Sequence, residues 1–198
     1  MAIARGNRKA QLLREALKLF SGAGYDKVTV KQLGDICGIT EPAVYRHYES
    51  KEALFDAVLV SVESRLDHSA LGAKVEGEKD VRRLLQKFGA GLFDVFARNK
   101  DLCRLLLYTA LKKPAKSRKL YHVIRGGYEV VLAEQLTRLY KKKAIPKRNF
   151  AVTAQSFVGL VFDCAVGQML WKKAQGRTFK PKEVLADIVP LFAKGMGK

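Results

Sequence analysis

Residues Val28 to Leu54 read VTVKQLGDICGITEPAVYRHYESKEAL, and the capping chemistry of this stretch sets the fold of the first quarter of the chain. Thr29 is a strong helix N-cap, and Gln32 three residues on can return a bond to the cap's own N–H. Val28 and Leu33 stand at the two staple positions that fix how the chain enters the helix. Leu33, Ile36 and Cys37 continue as a short apolar face. Gly38 ends that helix where a left-handed residue is needed, since glycine has no Cβ to clash. Thr40 caps the next helix, with Pro42 in its first turn, where a missing N–H is harmless. Ile39, Val44 and Tyr48 turn inward, Gly34 lets the second helix cross close to the first, and Ser50 caps a third.

Two short helices at this separation, with a glycine in the turn, make a helix-turn-helix, whose chemistry is reading DNA from the major groove. If Val44 and Tyr48 face the core, Thr40, Glu41, Ala43, Tyr45, Arg46 and His47 face solvent or DNA. Arg46 can bond guanine O6 and N7 together, which discriminates by roughly 1–3 kcal/mol. Pro42 and Ala43 can touch thymine methyl groups. Tyr45, His47 and the Thr40 hydroxyl suit phosphate oxygens, which position a protein without reading sequence. Lys51 adds a charge where helix N–H groups already favour an anion.

The run LLREALKLFSGAGYDKVTV (Leu12–Val30) and the run GITEPAVYRHYESKEALF (Gly38–Phe55) resemble the N-terminal domain of the TetR family of bacterial transcriptional regulators. The resemblance covers about residues 8–60. It implies an all-helical homodimer with a small DNA-binding domain and a larger effector-binding domain, and it implies that Thr29, Thr40, Tyr45, His47 and Lys51 contact phosphates. Glu41–Pro42 departs from the family pattern. The Glu41 carboxylate could accept from cytosine N4, or simply complement the helix dipole. Tyr48 replaces a usual phenylalanine and needs a partner for its hydroxyl.

The chain has 198 residues, 48% of them hydrophobic, enough for a real core. Its N-terminal MAIARGNRKA leads into an amphipathic helix rather than a signal-peptide apolar region, and no 18-residue uncharged apolar run is present. Cys37, Cys103 and Cys164 are odd in number and set in apolar surroundings, as reduced core residues are. A cytoplasmic protein with no membrane association is expected. Net charge is +18, which calls for a polyanionic partner, yet residues 1–51 contribute only +4 and residues 52–198 the other +14. The excess clusters at Lys112, Lys113, Lys116, Arg118 and Lys119, at Lys141–Lys143, Lys147 and Arg148, and at Lys172, Lys173, Arg177, Lys180 and Lys182. Such clusters can complement helix dipoles and solubilise the surface. They can also serve an anionic effector, such as a carboxylate, a phosphate or an acyl-coenzyme A, or form a second nucleic-acid surface.

Helical spacing predicts helices over about 51–70, 78–98, 101–113, 115–142 with a bend at Gly126–Gly127, 148–174 and 181–194, with Gly72 and Gly77 bracketing a loop. Phe150 to Trp171, FAVTAQSFVGLVFDCAVGQMLW, is apolar on more than one face and must be buried on several sides. With 181–194 it could build an isologous four-helix dimer interface; a monomer that buries it deeply is the other reading. A dimer would set two recognition helices about 34–36 Å apart on a roughly palindromic duplex operator. Arg5, Arg8 and Lys9 could reach phosphates or the minor groove, or form a solvated terminus. Phe93, Tyr108, Thr109, Tyr128, Phe162 and Asp163 are the candidate effector pocket, alongside the aromatic core. Thr109, His122, Gln155, Asp163 and Gln168 stand out there, because burial without partners is costly. His47, His68 and His122 lack metal-ligand spacing, and no nucleophile elbow or phosphate loop appears, so neither an enzyme, a metal site nor a cofactor is expected. The expectation is an all-α protein with a three-helix helix-turn-helix domain at 1–50 and a helical effector-binding and dimerisation domain at 51–198. The functional expectation is a dimeric sequence-specific transcriptional regulator, a repressor released from a roughly palindromic operator by a small-molecule effector. The alternative is a DNA-binding regulator controlled by a protein partner or by abundance.

Overall fold

A computed structural model of the chain describes residues 5–64, 66–112, 114–170 and 179–196. Lys113, Trp171, Lys172, Lys173, Gly176 and Arg177, and the side chains of Arg5 and Lys112, lie outside the described residues. The described residues form helices and no strand. These are α1 (Arg5–Ala23), α2 (Val30–Cys37), α3 (Glu41–Tyr45), α4 (Lys51–Glu63), α5 (His68–Val75), α6 (Val81–Arg98), α7 (Lys100–Lys112), α8 (Pro114–Tyr121), α9 (Gly127–Lys141), α10 (Phe150–Leu170) and α11 (Pro181–Gly195). A 3-10 turn at Tyr25–Lys27 follows α1, and a π-helical turn at His122–Gly126 joins α8 to α9. The helix pairs group into two compact units, Met1–Leu66 with Asp101–Val123, and Asp67–Lys100 with Ile124–Lys198.

In the first unit, Leu12, Ala16, Leu17 and Phe20 of α1 are buried at the helical repeat. Phe20, Tyr25 and Phe55 form a ring cluster with centroids 5.0–5.4 Å apart, in the tilted and edge-on arrangements that aromatic quadrupoles prefer. On α2 the buried strip is Val30, Leu33, Gly34 and Cys37. Ile36, expected with them, is 52% exposed, because it lies about a third of a turn off that strip. The helix expected over 51–70 is two helices. α4 ends at the Ser64 C-cap, and Asp67 starts α5 by accepting from the Ala70 N–H at 3.0 Å.

The second unit is built on α6, whose Leu84, Leu85, Phe88, Leu92, Phe93 and Phe96 are buried. α10 packs on α6 and α9, and α11 packs on α6. A Cβ on Gly89 would stand 2.5 Å from Leu185 and 3.2 Å from Phe157, so this glycine sets the depth at which three helices meet. Gly72 does not edge a loop as expected; it is buried inside α5, where a Cβ would meet Val131 at 2.9 Å. Gly77, with φ 81°, makes the turn that follows. The bend expected at Gly126–Gly127 is the end of the π-helical turn. α10 is long and apolar enough to cross a bilayer by length and composition, yet it buries Ala154, Phe157, Val158, Val161, Phe162, Ala165 and Val166 within the unit.

Candidate nucleic-acid interface

The entry to α2 is fixed by the expected reciprocal cap. Thr29 Oγ1 accepts from the Gln32 N–H at 3.1 Å, and Gln32 Oε1 accepts from the Thr29 N–H at 2.8 Å. Gly38 closes the helix at φ 66°, ψ 38°, the left-handed conformation that glycine adopts without penalty. A Cβ on Gly34 would lie 2.7 Å from the Ile39 carbonyl oxygen, so the α2–α3 turn sits directly on this glycine.

α3 then presents its side chains by face. Val44 and Tyr48 are buried, as expected. Thr40, Pro42, Tyr45 and Arg46 are exposed, while Glu41, Ala43 and His47 are half-buried. Thr40 stands at the N-cap position in extended backbone without bonding through its side chain, which leaves the hydroxyl to an outside acceptor. Arg46 is the C-cap residue of α3.

Lys51 is not simply solvated. Its ammonium stands 4.3 Å from the centre of the Tyr25 ring and 3.5 Å from the Asp26 carbonyl oxygen. Tyr25 donates its hydroxyl to Glu52 at 2.7 Å, and burial together with that carboxylate pushes the phenol well above its usual range. Lys116 on α8 completes the cluster, 2.6 Å from Glu52 and 2.8 Å from Asp56. This group was missed in the sequence, although Glu52 and Asp56 at i, i+4 on α4 signalled one acidic face awaiting a cation. Arg8 has a structural duty as well. It donates to the Cys37 carbonyl at 2.8 Å and to Gln11 at 3.0 Å, satisfying a backbone acceptor at the α2 C-terminus. Lys9 lies over the Tyr48 ring at 5.7 Å. Neither is a frayed terminal charge.

The hydroxyl of Tyr48 is the other departure. It is buried with no hydrogen-bond partner among the described residues, and burial pushes its pKa up to about 12.

The six expected effector residues fall into different surroundings. Phe93, Tyr128 and Phe162 are buried in the second unit, where Phe96 packs edge-on against both Tyr128 and Phe162. Burial lifts Tyr128 to about 12. Asp163 is exposed, so the cost of an unpartnered buried carboxylate does not arise. Gln155 and His122 are exposed too, and Gln168 donates to the Phe179 carbonyl. Tyr108 and Thr109 belong to the first unit. Thr109 is buried with its hydroxyl bonded to the Leu105 and Leu106 carbonyls of its own helix, at 2.8 and 3.2 Å. Tyr108 is 48% exposed and reaches the Gly22 carbonyl at 3.3 Å. With Ala23, Gly24, Tyr25, Asp26, Lys27 and Thr109 it lines a cavity of about 210 Å³.

Residues 12–58 match the family model of the bacterial regulatory proteins of the tetR family. Among curated proteins, the nucleoid occlusion factor SlmA of Escherichia coli is 29% identical over 141 residues, 68% of this chain and 71% of SlmA. The fold of a TetR-family regulator from Mesorhizobium loti aligns over the whole of both chains with a TM-score of 0.78 at 18% identity. The fatty acid degradation regulator FadR of Bacillus halodurans aligns over 98% of each chain with a TM-score of 0.75 at 15% identity. FadR of Bacillus subtilis, solved in complex with stearoyl-CoA, aligns over 94% of this chain and 98% of its own with a TM-score of 0.74 at 13% identity. The capped helix-turn-helix thus lies in a segment, residues 12–58, that matches the bacterial regulatory proteins of the tetR family, within an all-helical chain whose fold is that of TetR-family regulators.

Proposed function

We propose that the protein is a homodimeric repressor that binds a roughly palindromic operator and is released from it by a small-molecule effector. The observation that carries the reading is the exposed face of α3. Thr40, Pro42, Tyr45 and Arg46 stand clear of the core on a turn that Gly34 and Gly38 hold closed. Arg46 reads a guanine, Pro42 and Ala43 meet thymine methyls, and Glu41 accepts from cytosine N4. Thr29, Thr40, Tyr45, His47 and Lys51 hold phosphates. Residues 1–50 do the reading, in the cytoplasm, and residues 51–198 carry dimerisation and effector binding. Release is a population shift: the effector must bind better to a state whose two reading domains no longer match successive major grooves. The basic composition and the fold shared with a stearoyl-CoA complex support an anionic effector, of which an acyl thioester of coenzyme A is one class.

A second reading has its own support. SlmA, similar over two thirds of this chain, is a nucleoid occlusion factor by name, which favours control without a small ligand, by a protein partner or by abundance. One experiment addresses both. Sequences bound by the full chain are selected from random DNA, then acyl-coenzyme A esters and free fatty acids are screened for release of the selected duplex. A two-fold symmetric site released by one of them supports the first reading. A symmetric site that none releases favours the second, and failure to select any sequence would sink both.

A further inference from the structure

The charge that the α3 face leaves unexplained is concentrated at one end of the second unit. Arg138 near the end of α9 donates to the Glu78 carbonyl at 2.9 Å, and Arg148 before α10 donates to the Gly195 carbonyl of α11 at 3.0 Å. These two bonds bring together the α5–α6 turn, the α9–α10 loop and the end of α11. Residues 74–83, 138–149 and 194–196 hold eleven Lys/Arg against three carboxylates, and ten of the eleven cations are exposed. Two of the three carboxylates are committed locally: Glu78 pairs with Lys87 at 2.8 Å, and Asp80 caps α6 through the Arg83 N–H. No carboxylate occurs from Lys141 to Phe162.

Helix dipoles account for only part of this. Lys74, Lys141 and Lys194 lie in the last turns of α5, α9 and α11, where cations are favourable. Arg82 and Arg83 sit instead in the first turn of α6, and Lys147 and Arg148 directly precede α10, where a cation opposes the dipole. Gathering like charges also costs stability through self-repulsion. The arrangement makes sense against an anionic partner that offsets both costs. Tyr140, ring-paired with Phe150, is the one large apolar side chain exposed in these segments. Within these segments there is thus no apolar face of the kind that inserts into a bilayer or grips a partner helix; the exposed Val152 and Leu191 belong to the adjoining α10 and α11. What remains is a dense, mostly lysine surface, suited to a regular array of phosphates rather than to base edges.

We infer that this end of the second unit is a sequence-independent docking surface for duplex DNA, additional to the α3 reader; the inference rests on the chain being a DNA-binding regulator. Lys141, Lys142, Lys143 and Lys147 hold backbone phosphates, so the protein stays on DNA away from its operator.

The test measures binding of the full chain to a labelled non-operator duplex as a function of salt. The variant combines Lys141→Gln, Lys142→Gln, Lys143→Asn and Lys147→Gln; asparagine is chosen because residue 143 has φ 58° and asparagine tolerates that region. The log–log salt slope should fall in magnitude by about three to four, with affinity at low salt down on the order of a hundredfold. A charge-matched control, Lys100→Gln, Arg104→Gln, Arg118→Gln and Lys119→Gln, should leave the slope near that of the wild type. Arginine at the four tested positions should restore it. An unchanged slope in the tested variant, or an equal fall in the control, overturns the inference. So does loss of binding to phosphatidylglycerol vesicles with an unaltered DNA slope, which would make the partner a membrane. The selected operator is measured in parallel. If the wild type binds no operator, the DNA-reading role itself fails; if operator binding survives while the slope is unmoved, only this surface does.

Discussion

The carbonyl oxygen of Ile39 lies 2.7 Å from the point where a Cβ on Gly34 would stand, well inside any real carbon–oxygen contact. The clash is with backbone, so no side-chain rotation relieves it. Gly34→Ala must therefore push α3 off α2, at a cost of roughly 1–3 kcal/mol by the usual scale of overpacking. Thermal unfolding should show a lowered midpoint, and operator affinity should fall as α3 loses its seat. A Gly34→Ala protein with unchanged midpoint and affinity would show that the turn is not held this closely.

Tyr48 should be better as phenylalanine for stability. Its buried hydroxyl has no partner among the described residues, and an unsatisfied buried hydroxyl costs about 1–3 kcal/mol. Tyr48→Phe should thus stabilise the protein by about 1 kcal/mol in denaturant unfolding at neutral pH. The pH dependence has a definite sign. Burial raises the folded phenol to about 12, above its ordinary value near 10, so its titration leaves stability unchanged below pH 10 and lowers it as pH rises towards 12, where the unfolded chain ionises first. The phenylalanine variant should lack that part of the alkaline fall. If it is instead less stable than the wild type at neutral pH, the hydroxyl has a partner.

Arg46 and Lys51 should fail differently. Arg46 is exposed on the reading helix, so Arg46→Ala should relax one base position in each half-site, with a loss of roughly 1–3 kcal/mol confined to the preferred base. Lys51, held over the Tyr25 ring at 4.3 Å, is the proposed phosphate contact. Lys51→Ala should weaken all sequences alike and lower the salt slope by about one. Repeating the selection from random DNA with each variant separates the two, and an unaltered consensus for Arg46→Ala would remove its base-reading role.

What the sequence made legible was local. The Thr29–Gln32 box, the Gly38 stop and the Ser50 cap each depend on residues within a few positions, and they fix α2, the turn and the start of α4. Ile36 misled because apolar spacing over eight residues cannot tell the buried strip from its flank. The apolar repeat likewise ran through Leu66 and hid a break marked by an N-cap already written at Asp67. Asp163 looked costly inside an apolar run, yet the helix turns it outward. The bonds of Arg8 to Cys37 and of Lys116 to Asp56 span 29 and 60 residues, and no local pattern specifies such partners.

Lys116 offers a test of the α4–α8 contact. Burial draws its pKa down, but the hydrogen bonds to Asp56 and Glu52 outweigh that and leave it raised. The carboxylate side chains are about half exposed, so solvent screening limits the pair to about 0.5–1 kcal/mol. A double-mutant cycle of Lys116→Gln with Asp56→Asn should give a coupling of that size at low salt, shrinking at high salt. Because the folded pKa is raised, the contribution is complete below the ordinary lysine value near 10.4 and fades as pH rises through the folded one. A coupling indifferent to salt would mean that packing of the Lys116 stem, not its charge, joins the helices.

Leu191 on α11 is 71% exposed and Val152 on α10 is 54% exposed, on the two helices proposed to meet their copies across a two-fold axis. An isologous interface doubles each substitution, since the same patch occurs on both subunits. Leu191→Glu would place two carboxylates in that interface without disturbing the monomer's core, which Leu185, Ile188 and Val189 hold from the other side of α11. Sedimentation should then shift from dimer to monomer with the thermal midpoint of the isolated fold little changed. Binding to a two-half-site operator should weaken more than binding to a single half-site, because linking two sites raises their effective concentration. Leu191→Glu that still sediments as a dimer would move the interface off this face of α11.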